Sequence, residues 1–218
     1  NALYVRYLDT RPRAKDADSH IRLQTMRQRL TESVSHPEQW QQAMVQAELS
    51  SDWHSEETLR LSARSAMALG IREADTFASI PLTQPLARAL DRKQAALEAA
   101  RTYFVQAQQF GGEAVESEVL YRRAELYRQL AADLMASTVP SDLNEMEAMQ
   151  YQMLLEEQAY PFEEKAIALH AKNHGRIVEH GFDPWIGRSL EVLGQMNPGR
   201  YDRSVRWMSW NSEGNDGA

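Results

Sequence analysis

Two histidines, His170 and His174, stand four residues apart, a spacing that places both imidazoles on one face of a helix. Two imidazoles one turn apart bind zinc when a carboxylate completes the site, and Glu163 and Glu164 lie two turns earlier. The helical zinc-protease pattern requires a glutamate directly after the first histidine, where this chain has Ala171. The pair therefore indicates either a metal site or, more commonly for such histidines, a solvated helix face.

A group of arginines and tyrosines indicates a second chemistry, the recognition of a partner protein. Guanidinium groups bind acidic side chains or a C-terminal carboxylate, and tyrosine rings anchor peptides at interfaces. Glu118 and Glu125 lie at one-turn spacing on the same helix, so the alternative for the arginines is a surface ion pair. For the tyrosines the alternative is a place in an interhelical core. The candidate partner-binding residues are Tyr103, Tyr121, Arg122, Arg123 and Arg128.

Several other chemistries are excluded or disfavoured by the composition of the 218-residue chain. It contains no cysteine, which excludes disulfides, thiolate metal ligands and cysteine nucleophiles. Gly111-Gly112 has no lysine after it and no predicted strand before it, so it is no phosphate loop. Single serines, histidines and aspartates establish no catalytic arrangement in a sequence. A net charge of -7 and a pI near 5.4 disfavour nucleic acid and anionic membranes as partners, and we predict no cofactor.

The residue types that remain favour helices. Alanine (28) and leucine (22) far outnumber the β-branched valine (10), isoleucine (6) and threonine (8). Alanine and leucine are strong helix formers, whereas β-branched side chains fit a pleated sheet. No apolar run approaches the ~20 residues of a transmembrane helix. We therefore expect an all-α protein with short connections.

Helical periodicity divides the first part of the chain into segments. A helix is predicted to end before Pro12, and further helices are predicted over residues 15–30, 37–49 and 55–70. Residues 71–85 contain two prolines and are the least regular stretch, so we place a break between subregions there. The chain starts in helical rhythm without a capping residue, and we expect it to be a fragment.

The second part has a stronger periodicity. One helix is predicted from Leu86 to Gly111 and its partner from Val115. A long helix then begins near Asn144, with a kink or break at Tyr160 because Pro161 follows, and a last helix begins at Asp183-Pro184. Accordingly, we divide the chain into three parts: degenerate repeats over 1–80, a C-terminal helical region over 86–200, and a tail over 201–218 that contains Trp207 and Trp210.

Helix pairs joined by short turns form either a bundle or a solenoid. Ala100, Phe104 and Ala107 have the spacing of the second helix of a tetratricopeptide repeat (TPR), in which small residues allow close approach and an aromatic ring fills the gap. We therefore predict an all-α, TPR-like solenoid of antiparallel helix pairs with a kinked, longer-helix C-terminal part.

Four segments together resemble a known family. They are residues 154–167 (LLEEQAYPFEEKAI), Asp183-Pro184-Trp185, residues 189–193 (SLEVL) and residues 196–201 (MNPGRY). They are similar to the C-terminal region of bacterial cell-envelope TPR proteins associated with gliding motility or TonB/ExbB/ExbD-type systems, and the likeness covers roughly residues 86–202. The resemblance implies a non-enzymatic scaffold, periplasmic or associated with the outer membrane, whose groove binds envelope proteins of a motility or proton-driven assembly.

Two alternatives stay open beside the scaffold. One is a helical metal-binding module or metal-dependent enzyme that uses His170 and His174. The other is a regulatory helical bundle with a small ligand, which predicts an enclosed apolar pocket where a scaffold has an open groove.

Overall fold

A computed structural model describes residues 2–201; residue 1 and residues 202–218, with Trp207 and Trp210, lie outside the described part. Every regular element of the described residues is a helix, which confirms the all-α prediction. The helices are α1 (Ala2–Leu8), α2 (Ala17–Ser33), α3 (Glu38–Leu49), α4 (Glu56–Ser79), α5 (Leu86–Gly111), α6 (Glu113–Met135), α7 (Glu145–Gly175), α8 (Ile177–His180), α9 (Pro184–Met196) and α10 (Pro198–Tyr201).

Polar caps fix the starts of four of these helices. Asp16, Ser55 and Asn144 cap α2, α4 and α7: each side chain accepts the backbone N–H three residues later, and the side chain of that later residue accepts the backbone N–H of the cap residue. Asp183 accepts two backbone N–H groups at the start of α9, where Pro184 occupies the first helical position. The starts predicted at Ser55 and Asp183 are confirmed.

Helix α4 is longer than predicted, because it continues through Gly70 to Ser79. A side chain at position 70 would place its Cβ 2.7 Å from the Phe104 ring, so this glycine permits close approach of α5 rather than ending α4. At the end of α4, the ammonium of Lys93 donates to the carbonyls of Phe77 (3.0 Å) and Ile80 (2.7 Å). This cap comes from another helix, so the local sequence of α4 contains no sign of it.

Helix α7 runs unbroken through Pro161, so of the two predicted alternatives, a kink or a break near Tyr160, the break is wrong. A proline inside a helix removes one backbone hydrogen bond. Tertiary packing holds the two halves together, since Ala159 and Ala166 are buried on either side of the proline. The ring of Phe162 also stacks on Tyr127 of α6, with 6.4 Å between centroids.

Most helices pack on their neighbours in chain order, with the most extensive contacts between α4 and α5 and between α6 and α7. The main core lies among α4–α7 and includes the fully buried Ala100, Phe104 and Ala107. A smaller cluster joins α1, α2 and α3 around Leu8, Leu30 and Trp40. Within residues 2–201, no helix combines the length and apolarity needed to cross a bilayer.

Candidate functional site

Two of the predicted partner-binding arginines form ion pairs within α6. The Arg122 guanidinium lies 2.7 Å from Glu118, and Arg128 donates two bonds of 2.8 and 2.6 Å to Glu125. These are the one-turn pairs that the spacing predicted as the alternative. Both arginines therefore have the carboxylate partner within α6 that this alternative expects.

Tyr121 packs between helices. Its ring centroid lies 5.6 Å from that of His170 on α7 and 5.4 Å from that of Trp185 on α9. Burial, followed by the nearby charge of Glu125, raises the pKa of the tyrosine hydroxyl. The indole of Trp185 also faces the Arg122 guanidinium at 5.0 Å. The ring of Tyr121 thus contributes to the contact of α6 with α7 and α9.

Of the other two candidates, Tyr103 is on α5 and Arg123 is on the side of α6 that faces α5. Tyr103 packs on the main core. Arg123 is half-buried, and burial lowers its pKa, with smaller effects from Tyr127 and from Arg101 and Glu98 of α5. The five predicted residues therefore do not share one surface, although each lies at a helix–helix contact or beside one.

The histidine pair is split by the fold. His170 is fully buried, so the expectation of a solvated face is wrong for it, whereas His174 is half-buried beside Tyr201. Both ring nitrogens of His170 lie 3.2 Å from side-chain oxygens, Nδ1 from Ser189 and Nε2 from Glu125. In residues 2–201, no three histidine, aspartate or glutamate side chains come together as metal ligands.

His170 belongs to a hydrogen-bonded chain that links α6, α7 and α9. Asn173 donates to the Ser189 hydroxyl at 2.9 Å, and this hydroxyl contacts His170 Nδ1. The other ring nitrogen of His170, Nε2, contacts the carboxylate of Glu125. Burial alone raises a carboxyl pKa, but the hydrogen bonds from His170 and Arg128 and the arginine charge outweigh it and lower the pKa of Glu125 to about 2. The carboxylate is therefore ionised, and His170 Nε2 must carry the proton between them.

A second chain of the same three residue types joins α2, α3 and α4, and no motif or spacing in the sequence indicates it. Ser51 Oγ lies 3.4 Å from His20 Nδ1, and His20 Nε2 lies 2.8 Å from Glu48. Burial opposes ionisation of the fully buried Glu48, yet its hydrogen bonds together lower its pKa. The other side chains that donate to this carboxylate are Gln24 (2.8 Å), His54 (3.0 Å), Thr58 (3.0 Å) and Ser62 (3.4 Å).

A largely apolar groove of about 580 Å³ lies between α4, the end of α5 and the start of α6. On α4, Leu59, Ala63, Met67 and Ile71 form its wall at intervals of four residues. Opposite them lie Phe110, Gly111, Ala114 and Val115. We call this the α4–α6 groove; it is close to the predicted Arg122, since the Arg122 partner Glu118 lies on its rim.

The rim of the α4–α6 groove is charged. Arg60 and Arg64 of α4 are both exposed there, as is Glu56. The two rim arginines of α4 have no carboxylate partner in the described part of the chain. The arginine ion pairs among residues 2–201 belong instead to Arg72, Arg101, Arg122, Arg128 and Arg176. An apolar wall with unmatched cations along one edge suits an amphipathic ligand.

No family model, no curated protein and no solved structure matches this chain.

Proposed function

We propose that this protein is a non-enzymatic scaffold that binds an amphipathic helix of a partner protein in the α4–α6 groove. The observation that carries the proposal is the apolar wall on α4. Leu59 and Ile71 lie twelve residues apart on it, which corresponds to about 18 Å at the rise of an α-helix. A partner helix of about three turns therefore fits along the wall with apolar residues at positions i, i+3 or i+4, and i+7.

The charge of the rim narrows the choice of partner. Arg60 and Arg64 are one turn apart on the same edge, so they match two carboxylates one turn apart on a bound helix. Glu56, one turn before Arg60 at the start of α4, and Glu118 of α6 add negative charge to the rim. We therefore propose a partner helix with Asp or Glu along one flank of its apolar face, which would bind in a single orientation.

The finer fold assignment and the cellular setting form part of the same proposal. Packing of Phe104 over Gly70, with Ala100 and Ala107 fully buried, supports a TPR-like repeat. The cell envelope, and a motility or TonB-type assembly within it, follow from the resemblance of residues 154–201 alone. We accordingly propose an extracytoplasmic scaffold. Metal binding by His170 and His174 is the less favoured alternative, because both ring nitrogens of His170 face other side chains.

A helical peptide library tests the groove and can identify the sequence pattern of the partner at the same time. We would display peptides of about 16 residues, long enough to cover the wall on α4, and select binders with the 218-residue chain. The expected binders share apolar residues at helical spacing and an acidic flank. Ala114→Glu places a charge at the exposed edge of the groove and should weaken binding more than about tenfold.

Ala132→Glu is the matched control, because Ala132 is an exposed alanine of the same helix outside the groove. It should leave binding unchanged. The double variant Arg60→Glu/Arg64→Glu should weaken acidic peptides by about tenfold or more and shift the selection towards basic flanks. Binders that lack the helical pattern, or that bind the Ala114→Glu variant equally well, would contradict the proposed groove.

The non-enzymatic part of the proposal needs a separate test. Ser51 contacts His20, and His20 contacts Glu48, which is the succession of serine, histidine and carboxylate found in the catalytic triad of hydrolases. The Ser51 hydroxyl oxygen also accepts the backbone N–H of Trp53 at 2.9 Å, which fixes it in a turn. We expect no hydrolysis of p-nitrophenyl esters above that of the Ser51→Ala variant. Turnover that disappears with this substitution would show that the protein is an enzyme.

A further inference from the structure

A second pocket, distant in sequence from the α4–α6 groove, lies between the α1–α2 connection, α2 and the end of α3. Its volume is about 680 Å³, within the range of small-molecule sites. Three arginines line it, Arg11 and Arg13 from the connection and Arg27 from α2, against the single carboxylate of Asp52. In a chain with a net charge of -7, this lining is locally basic.

Within residues 2–201, none of these three arginines forms an ion pair, since the arginine pairs there belong to other residues. Arg27 gives the strongest indication of a missing anion, because it is half-buried and its one side-chain acceptor among the described residues is the Gln24 carbonyl at 3.0 Å. A guanidinium has five N–H donors. Burial lowers the pKa of Arg27 and the charge of Glu48 offsets this only in part, so the desolvated cation lacks a fully matching anion.

The backbone of the connection turns at Arg11 in a conformation that side chains other than glycine rarely adopt. Its φ is +52°, in the left-handed region. The Arg11 amide donates to the Leu8 carbonyl at 2.9 Å, which holds this turn at the end of α1. Backbone strain of this kind is concentrated at ligand sites, and here it places an arginine at the edge of the pocket.

The remaining surface of the pocket is suited to an apolar body. Trp40 and Trp53 both line it, the first buried and the second 43% exposed. Leu23 and Ala47 add aliphatic surface. Two indoles beside three guanidinium groups provide flat apolar contact next to positive charge.

We propose that this pocket binds a small organic oxyanion, a phosphate monoester or a carboxylate attached to a flat apolar body. Arg27, with Arg11 and Arg13, binds the oxyanion through paired N–H donors, and the two tryptophans contact the apolar body. The site is independent of the α4–α6 groove, so either proposal can fail without the other.

Titration calorimetry and tryptophan fluorescence on the 218-residue chain test the proposal with three probes: phenyl phosphate, benzoate and inorganic phosphate alone. We expect one of the two aromatic probes to bind more tightly than inorganic phosphate and to change the fluorescence. The tighter of the two identifies phosphate or carboxylate as the ligand chemistry. Arg27→Gln should weaken binding by about ten- to a hundredfold, and Arg27→Lys, which keeps the charge but loses the planar fork, by less.

Arg22→Gln is the matched control, because Arg22 is an exposed arginine of the same helix that does not line this pocket. It should leave binding unchanged. Arg13→Gln repeats the test at an exposed position that is safe for folding, and it should weaken binding severalfold. The proposal would be overturned if none of the three probes binds at millimolar concentration. It would also be overturned if the probes bind equally well to the wild type, Arg27→Gln and Arg13→Gln.

Discussion

Within residues 2–201, two hydrogen-bonded chains of serine, histidine and glutamate stabilise a carboxylate in different ways. In the chain Ser189–His170–Glu125, a permanent cation supports the carboxylate, because Arg128 donates two bonds to it from the same helix. In the chain Ser51–His20–Glu48, no arginine or lysine forms an ion pair with the carboxylate among the described residues. Its partners are two histidines and neutral donors.

The two carboxylates also differ in their access to water. The Glu125 side chain is 26% exposed, whereas that of Glu48 has no exposed surface. A carboxylate that is removed from water without a permanent cation needs a donor for each lone pair. Glu48 meets this requirement with five side chains from α2, the α3–α4 connection and α4. We therefore expect the stability of the N-terminal helices to depend more strongly on Glu48 than that of the C-terminal helices depends on Glu125.

The largest effect is therefore expected from Glu48→Ala. It leaves the buried donors of Gln24, Thr58 and His20 without this acceptor and opens a cavity among α2, α3 and α4. We expect the free energy of unfolding to fall by about 3–5 kcal/mol, measured by urea denaturation. The control Glu57→Ala, at an exposed position of the first turn of α4, should change it by less than about 0.5 kcal/mol. Equal effects of the two variants would show that the Glu48 cluster contributes little to stability.

A smaller loss is expected from Glu125→Gln, because part of the site faces water. The amide keeps the shape but loses the charge that holds Arg128 and His170, and we expect a loss of about 1.5–3 kcal/mol at neutral pH, again by urea denaturation. Arg128→Gln should cost less, since it leaves the hydrogen bond of His170 to Glu125 in place. A larger loss for Arg128→Gln than for Glu125→Gln would contradict this order.

The pH dependence of the free energy of unfolding distinguishes the contribution of the Glu125 charge from that of packing. The pKa of Glu125 is lowered from 4.5 to about 2, so below pH 5 the unfolded chain binds a proton more readily than the folded one. The stability from this carboxylate is fully present above about pH 5 and is lost as the pH falls towards 2. In Glu125→Gln this part of the slope should disappear, while the lowered pKa of Glu48 preserves a slope of the same sign. An unchanged slope in the variant would mean that Glu125 titrates normally.

The sequence predicts those features of the fold that depend on neighbours within a turn or two. The caps at Ser55 and Asp183, the end of α5 at Gly111 and the ion pairs of Arg122 and Arg128 are all local, and the structure has each of them. Spacing and side-chain chemistry are sufficient for such features.

The features that escape prediction depend on side chains from distant segments. Lys93 caps α4 from α5, Phe104 requires a glycine at position 70, and packing on α6 holds α7 together across Pro161. The Glu48 cluster gathers residues 20 to 62, and no spacing in the sequence marks it. For His170 the helical spacing to His174 indicates a shared face, but the ring of His170 is buried because α6 and α9 pack against it through Tyr121, Glu125 and Ser189.

The smallest effect we predict compares the two serines directly. Ser189 is fully buried, and its replacement by alanine leaves His170 Nδ1 without this hydrogen-bond partner and removes one acceptor of Asn173, so we expect a loss of about 1–2 kcal/mol. Ser51 is half-buried at the edge of the pocket between the α1–α2 connection, α2 and the end of α3, where water can replace its hydroxyl both beside His20 and at the backbone N–H of the exposed Trp53, so Ser51→Ala should cost less than about 0.5 kcal/mol. Urea denaturation of both variants measures the difference. A loss for Ser51→Ala as large as that for Ser189→Ala would mean that water does not replace the Ser51 hydroxyl at His20 and at the Trp53 backbone N–H.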